Sequence, residues 1–152
     1  MFKINISNKE GKTYKLELES EELMGKEIKD KIEGKDLNAD LEGYELEIAG
    51  ASDKAGIPAL DIVEGIGLKR VLLGYGKGMH KRSKKEGKRK RSNPTPKGLR
   101  RRKTIRGKVI SPDIVQINMK VTKVGKKPLS EIFPEQNKPK EKPEKPSEIP
   151  TQ

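Results

Sequence analysis

Apolar and polar residues alternate with a period of two in several short stretches of the 152-residue chain. Phe2, Ile4 and Ile6 share one face of the first stretch, and Tyr14, Leu16 and Leu18 share one face of the second. Successive side chains of a β-strand point to opposite faces, so each stretch reads as a half-buried strand. The intervening SNKEGK, with Gly11, predicts the turn of a β-hairpin. Tyr44 to Ile48 alternates in the same way, with Tyr44, Leu46 and Ile48 set between glutamates, and predicts a third strand. VLL at Val71 to Leu73 is a fourth apolar run. Farther on, Val115, Ile117, Met119 and Val121 fall on one face and Gln116, Asn118, Lys120 and Thr122 on the other. With Ser111, Pro112 and Asp113 as the turn, this pattern predicts an antiparallel hairpin of Thr104 to Ile110 with Ile114 to Val124.

Two segments read less simply. In Ser20 to Asn38 the spacing of Ile28 and Ile32 is helical while Gly25 and Gly34 interrupt it, so a strand with a turn and a short helix both stay open. Ile48 to Gly67 predicts a shaped connection: Gly50 and Gly56 allow positive φ or close backbone approach, and Pro58 restricts φ. From Pro134 onward, five prolines among alternating charges predict an extended, disordered tail. The pattern divides the chain into a small β domain (1–73), a Gly/Lys/Arg-rich basic extension (74–103), a basic β-hairpin (104–127), and a short linker with a Pro/Lys/Glu tail (128–152). The fold class is mainly β.

Composition limits the core. Only 30% of residues are hydrophobic, and the aromatic ones are two phenylalanines and three tyrosines, so only part of the chain can pack around a common interior. The absence of cysteine excludes disulfides, thiolate catalysis and cysteine zinc sites. The N-terminal stretch alternates instead of forming an apolar run, and no 18-residue apolar segment exists, so the expectation is a soluble cytoplasmic protein without a signal peptide.

Charge changes the picture most. The net charge of +12 is unevenly distributed: residues 1–65 hold 9 lysines and arginines against 16 carboxylates, residues 66–127 hold 22 against 2, and residues 128–152 hold 4 against 5. Eight of the eleven residues in KRSKKEGKRKR, Lys81 to Arg91, are basic. Such a field favours a polyanion, and the missing apolar face argues for nucleic acid over a membrane surface. A nuclear import signal and a solubilising segment are the remaining readings of a basic run. The candidate phosphate contacts are Lys77, His80, Lys81, Arg82, Lys84, Lys85, Lys88, Arg89, Lys90 and Arg91. A second cluster, Arg100, Arg101, Arg102 and Lys103, leads into strand-forming sequence that carries Arg106 and Lys108. Phosphates neutralise such residues and release counterions, and arginine adds forked hydrogen bonds or stacking on a base.

Other chemistry finds little support. Gly11-Lys12-Thr13 matches only the end of a phosphate-binding loop, since Ile6 stands where its first glycine belongs and a strand follows. GIG at Gly65 to Gly67 and GYGKG at Gly74 to Gly78 lack the third glycine of a dinucleotide fingerprint. His80 is the one histidine, so no metal site or catalytic triad can be built around it, and the carboxylates of residues 10–47 alternate on strand faces that read as solvated. The expectation is a protein without catalytic activity, cofactor, metal or small-molecule substrate. A chromosomal DNA-binding protein is the alternative that uses the same charge.

Three stretches carry a family resemblance: IAGASDKAGIPA at Ile48 to Ala59, GYGKGMHKRSKKEGKRKR at Gly74 to Arg91, and LRRRKTIRGKVISPDIVQINMKV at Leu99 to Val121. In these the chain resembles the small-subunit ribosomal protein eS-six family of archaea and eukaryotes, over roughly residues 1–127. The resemblance implies a small N-terminal β-barrel and a structural place in the ribosome. It also implies small-subunit ribosomal RNA as partner, beside neighbouring ribosomal proteins. Asp53, Lys54, Gly56 and Pro58 match the family's signature loop. The chain departs at Ala51, where the family usually has a second glycine, and at Ala59, where it usually has methionine. It also ends in a proline-rich, nearly neutral tail instead of the long basic helix of eukaryotic members, and so looks like the short archaeal form. Whether the acidic face of residues 1–65 meets a protein, a translation factor or solvent is left open.

Overall fold

The computed structural model describes residues 1–19, 22–80 and 97–137. Strands β1 (Phe2–Ser7) and β2 (Thr13–Leu18) pair antiparallel, with Phe2 opposite Leu18, Ile4 opposite Leu16 and Ile6 opposite Tyr14. The two apolar stripes therefore form one surface. Gly11 closes the turn at φ +83°, a left-handed conformation that suits glycine, and its N–H donates to the Asn8 carbonyl. The open segment Ser20 to Asn38 resolves, among its described residues, into turns, a short strand β3 (Lys31–Glu33) and a 3₁₀ turn at Gly34–Asp36. A second 3₁₀ turn, Ala39–Leu41, begins where the Asn38 side chain accepts the Asp40 N–H.

Strand β4 (Glu45–Asp53) takes up the predicted third strand from Glu45 onward, leaving Tyr44 just before it, and runs beyond Ile48. The start of the expected connection is thus strand, made irregular by a bulge between Ile48 and Gly50. Beyond Asp53 the chain turns, and Ala59 returns to donate its N–H to the Ala51 carbonyl at 2.8 Å. The two positions that depart from the family pattern therefore touch, both buried, and Ala51 still allows the close backbone approach. The later strands are β5 (Leu68–Leu73), β6 (Arg101–Arg106) and β7 (Ile114–Lys123).

The main sheet has the order β2-β1-β7-β4-β3. Strand β7 lies at its centre, parallel to β1 and antiparallel to β4, so Ile117 meets Ile4 on one side and Ala51 on the other. One face of this sheet carries the larger core, including Ile4, Ile6, Leu46, Ile48, Ile117 and Met119. Among the described residues no barrel closes, since β2 and β3 are both edges. Strand β3 has only three residues, and the outer edge of β2 is occupied from elsewhere. There the Lys15 N–H donates to the Gln136 Oε1 at 2.6 Å, and the Gln136 Nε2 donates back to the Lys15 carbonyl at 2.8 Å. The same segment contains α1 (Leu129–Ile132), with Leu129 buried and Phe133 stacked on Tyr14 at 5.8 Å between ring centroids. The expected tail is accordingly docked as far as Asn137, and the rest of it lies outside the described residues.

The expected hairpin of 104–110 with 114–124 does not form. A two-stranded antiparallel sheet does carry the second arginine cluster, but it pairs β6 with β5. Ser111 to Asp113 turns the chain, with the Ile114 N–H on the Ser111 carbonyl, yet the backbone before this turn is engaged elsewhere. Gly107 donates to Gly67, Lys108 to Val63 and Ile110 to Lys26, while both edges of β7 are taken by β1 and β4. Gly107 passes so close to the Gly65 carbonyl that a Cβ would overlap it. A smaller core of Leu60, Val63, Leu73, Met79 and Ile105 lies beneath the β5–β6 ribbon.

Candidate nucleic-acid interface

The signature loop and Arg106 together join the two sheets. Asp53 ends β4, and its Oδ1 accepts the Ala55 and Ile57 N–H groups, each at 2.9 Å. Gly56, at φ +76°, closes this turn, and Lys54 is exposed at its tip. The other oxygen, Oδ2, accepts Arg106 Nε at 3.3 Å. Arg106 Nη1 reaches Asp113 at 3.0 Å and the Ile66 carbonyl at 3.4 Å. Its main chain is also engaged, the N–H donating to the Pro58 carbonyl and the carbonyl accepting from Leu60. Burial works to raise the Asp53 pKa, but the hydrogen bonds from Ile57, Arg106 and Ala55 outweigh it, and the net shift is downward. The signature loop is in this geometry a clamp between the end of β4 and the end of β6.

Arg106 is therefore not an open phosphate ligand: it is 9% exposed and bonded to two carboxylates. Lys108 is similarly occupied, its ammonium 2.9 Å from Glu27 and 3.0 Å from Glu64, and these bonds raise its pKa. Both residues belong to the ordinary sequence RRRKTIRGK, in which nothing separates them from their neighbours.

The neighbours behave differently. Arg102 and Lys103 are exposed on β6, Arg101 is half-buried, and Arg100 is exposed just before it. Strand β5 adds exposed Lys69 and Arg70, which a search for basic clusters overlooks because they stand as an isolated pair. Across the ribbon, Lys69 faces Ile105, Arg70 faces Thr104, Val71 faces Lys103, Leu72 faces Arg102 and Leu73 faces Arg101. Each of these cations thus has a neutral residue directly opposite, an arrangement that avoids head-on repulsion without quenching the field. Among the described residues none of Lys69, Arg70, Arg100, Arg101, Arg102 and Lys103 lies in ion-pair range of a carboxylate.

Lys77 and His80 are exposed on the segment that leaves β5, and Lys77 Nζ is 3.4 Å from the Ala49 carbonyl. Lys81, Arg82, Lys84, Lys85, Lys88, Arg89, Lys90 and Arg91 lie outside the described residues. The described part of the surface sets these cations side by side on a two-stranded support, and its arginines offer forked donors.

The chain matches the family described as Ribosomal protein S6e over residues 2–93 and 92–134. Among its relatives are proteins named Small ribosomal subunit protein eS6. The one from Methanococcus maripaludis strain C5 is 43% identical over 129 residues, covering 84% of this chain and 92% of the relative. That of Methanocaldococcus jannaschii is 40% identical over 125 residues, 82% of this chain and 84% of its own. That of Methanoculleus marisnigri is 41% identical over 136 residues, 87% and 92% respectively.

Proposed function

The chain belongs to the Ribosomal protein S6e family, and from that premise we propose that it is a structural, non-catalytic component of the small ribosomal subunit that binds ribosomal RNA. The observation that carries the RNA-binding part is the β5–β6 ribbon. Its cations have no carboxylate partner among the described residues, whereas most lysines of the main sheet do. Unpaired cations on the ribbon repel one another until an outside polyanion neutralises them, and ribosomal RNA supplies phosphates with release of their counterions. The basic stretch Lys81 to Arg91, which follows β5 in the sequence, adds contacts along the RNA backbone. The protein thereby supports subunit assembly and translation, in the cytoplasm, beside RNA and neighbouring ribosomal proteins. A chromosomal DNA-binding role draws on charge alone and gains nothing from the relatives.

The test is sedimentation of a cell lysate with nuclease treatment. The expected result is that the protein travels with the small subunit, is released by RNase and is unmoved by DNase. Release by DNase with retention after RNase would refute the reading.

A further inference from the structure

Four of the five aromatic side chains belong to the interior: Phe2, Tyr14 and Tyr44 are buried, and Phe133 is partly buried against Tyr14. Tyr75 is 73% exposed, and it stands in the basic part of the molecule. Its position follows from the chain on either side. Gly76 and Met79 exchange backbone hydrogen bonds, Gly78 takes φ +77°, and Met79 is fully buried in the smaller core. That anchor fixes the turn, and Tyr75, just before it, is left facing outward. On the other side Leu99 packs against the same core and sets the adjoining Arg100. Tyr75, Leu99 and Arg100, with Gly74 and Gly98, line one shallow depression of about 440 Å³. The two glycines leave its floor open, with no atom within 4 Å of where a Cβ would stand.

We propose that Tyr75 and Arg100 form a stacking site for an unpaired RNA base, an inference that rests on the RNA-binding reading above. A phosphate alone has no use for an exposed ring, and an acidic peptide would satisfy the cations while giving the ring nothing flat to cover. An unpaired nucleotide does both, since its base stacks on the phenol ring or the guanidinium plane and its phosphates lie against the surrounding cations. Such a site recognises single-stranded or bulged RNA and does not discriminate strongly among bases.

The full-length protein, as wild type, Tyr75→Ala and Tyr75→Phe, is titrated with a labelled single-stranded RNA and with a blunt RNA duplex carrying the same number of phosphates. Tyr75→Ala is expected to weaken binding of the single strand about fivefold or more, and Tyr75→Phe to retain it. Duplex binding and the salt dependence should stay unchanged. As an independent check, wild-type protein should bind an abasic version of the strand as weakly as Tyr75→Ala binds the normal one. An equal loss on strand and duplex, no loss at all, or an acidic peptide showing the same dependence on Tyr75 would overturn the stacking site alone. If the wild type binds neither RNA, the RNA-binding reading falls first.

Discussion

The five-stranded sheet and the β5–β6 ribbon handle charge in opposite ways. On the sheet, Lys3 faces Glu17 at 3.6 Å and Lys120 faces Glu47 at 2.9 Å across paired strands, while Lys31 reaches Glu45 diagonally at 2.8 Å. On the ribbon, each unpaired cation faces a neutral residue. Most lysines of the sheet are paired with carboxylates of the same sheet, in exposed pairs that add little to stability. The ribbon keeps its field for something else. The lesson is that the number of basic residues in a segment does not identify a binding surface. The carboxylates that the fold does or does not bring alongside them decide it.

Arg106 stands at the junction of the two regions, and its loss is expected to have the largest effect. Arg106→Ala leaves Asp53 buried without its cation and is expected to cost about 3–5 kcal/mol in urea unfolding. Arg106→Lys should restore only part of this, because an ammonium cannot reproduce the fork that meets Asp53, Asp113 and the Ile66 carbonyl. Next in size is the combined replacement of Arg100, Arg101, Arg102 and Lys103 by alanine. At 0.7–0.9 per phosphate contact, the log-log slope of RNA affinity against salt should fall by roughly 3. The matching replacement of Lys3, Lys31 and Lys120 should leave that slope unmoved. Equal slopes for the two variants would erase the distinction between sheet and ribbon.

A smaller effect is expected with pH. The folded pKa of Asp53 lies below its ordinary value of 3.8, so its stabilising contribution is fully present above that value and is lost as pH falls toward the lowered one. Melting temperature should therefore drop more steeply between about pH 5 and pH 3 in the wild type than in Asp53→Asn, which lacks this titration. A matching slope in the two proteins would mean that the clamp does not depend on the carboxylate charge. The smallest effect belongs to Lys120→Ala. Its ion pair with Glu47 is exposed on the lysine side, and the loss should be below about 1 kcal/mol by the same urea measurement.

Much of the fold was legible from periodicity, because a strand with one buried face must alternate. The apolar faces of β1, β2 and β7, the core of β4 and the turn at Gly11 all follow from that requirement. The site was legible only in part. The signature loop could be matched at Asp53, Lys54, Gly56 and Pro58, but its task could not be read, since Asp53 and Arg106 are 53 positions apart and each taken alone looks like a surface charge. Tyr75 was invisible as a candidate because an aromatic residue among glycines gives no sign of whether it points in or out.

Local alternation, turn chemistry and the distribution of charge are properties of neighbouring residues, so they specify a β protein with an acidic N-terminal part and a basic middle without reference to any distant contact. Which strands pair is a property of distant ones. Alternation makes any two of these strands compatible, and only the competition for backbone hydrogen bonds in three dimensions sent β7 to the centre of the main sheet and β6 to β5. That same competition brought carboxylates beside Arg106 and Lys108 and kept them away from Arg100 to Lys103. It decided which of the basic residues hold the fold together and which are left without a carboxylate partner among the described residues.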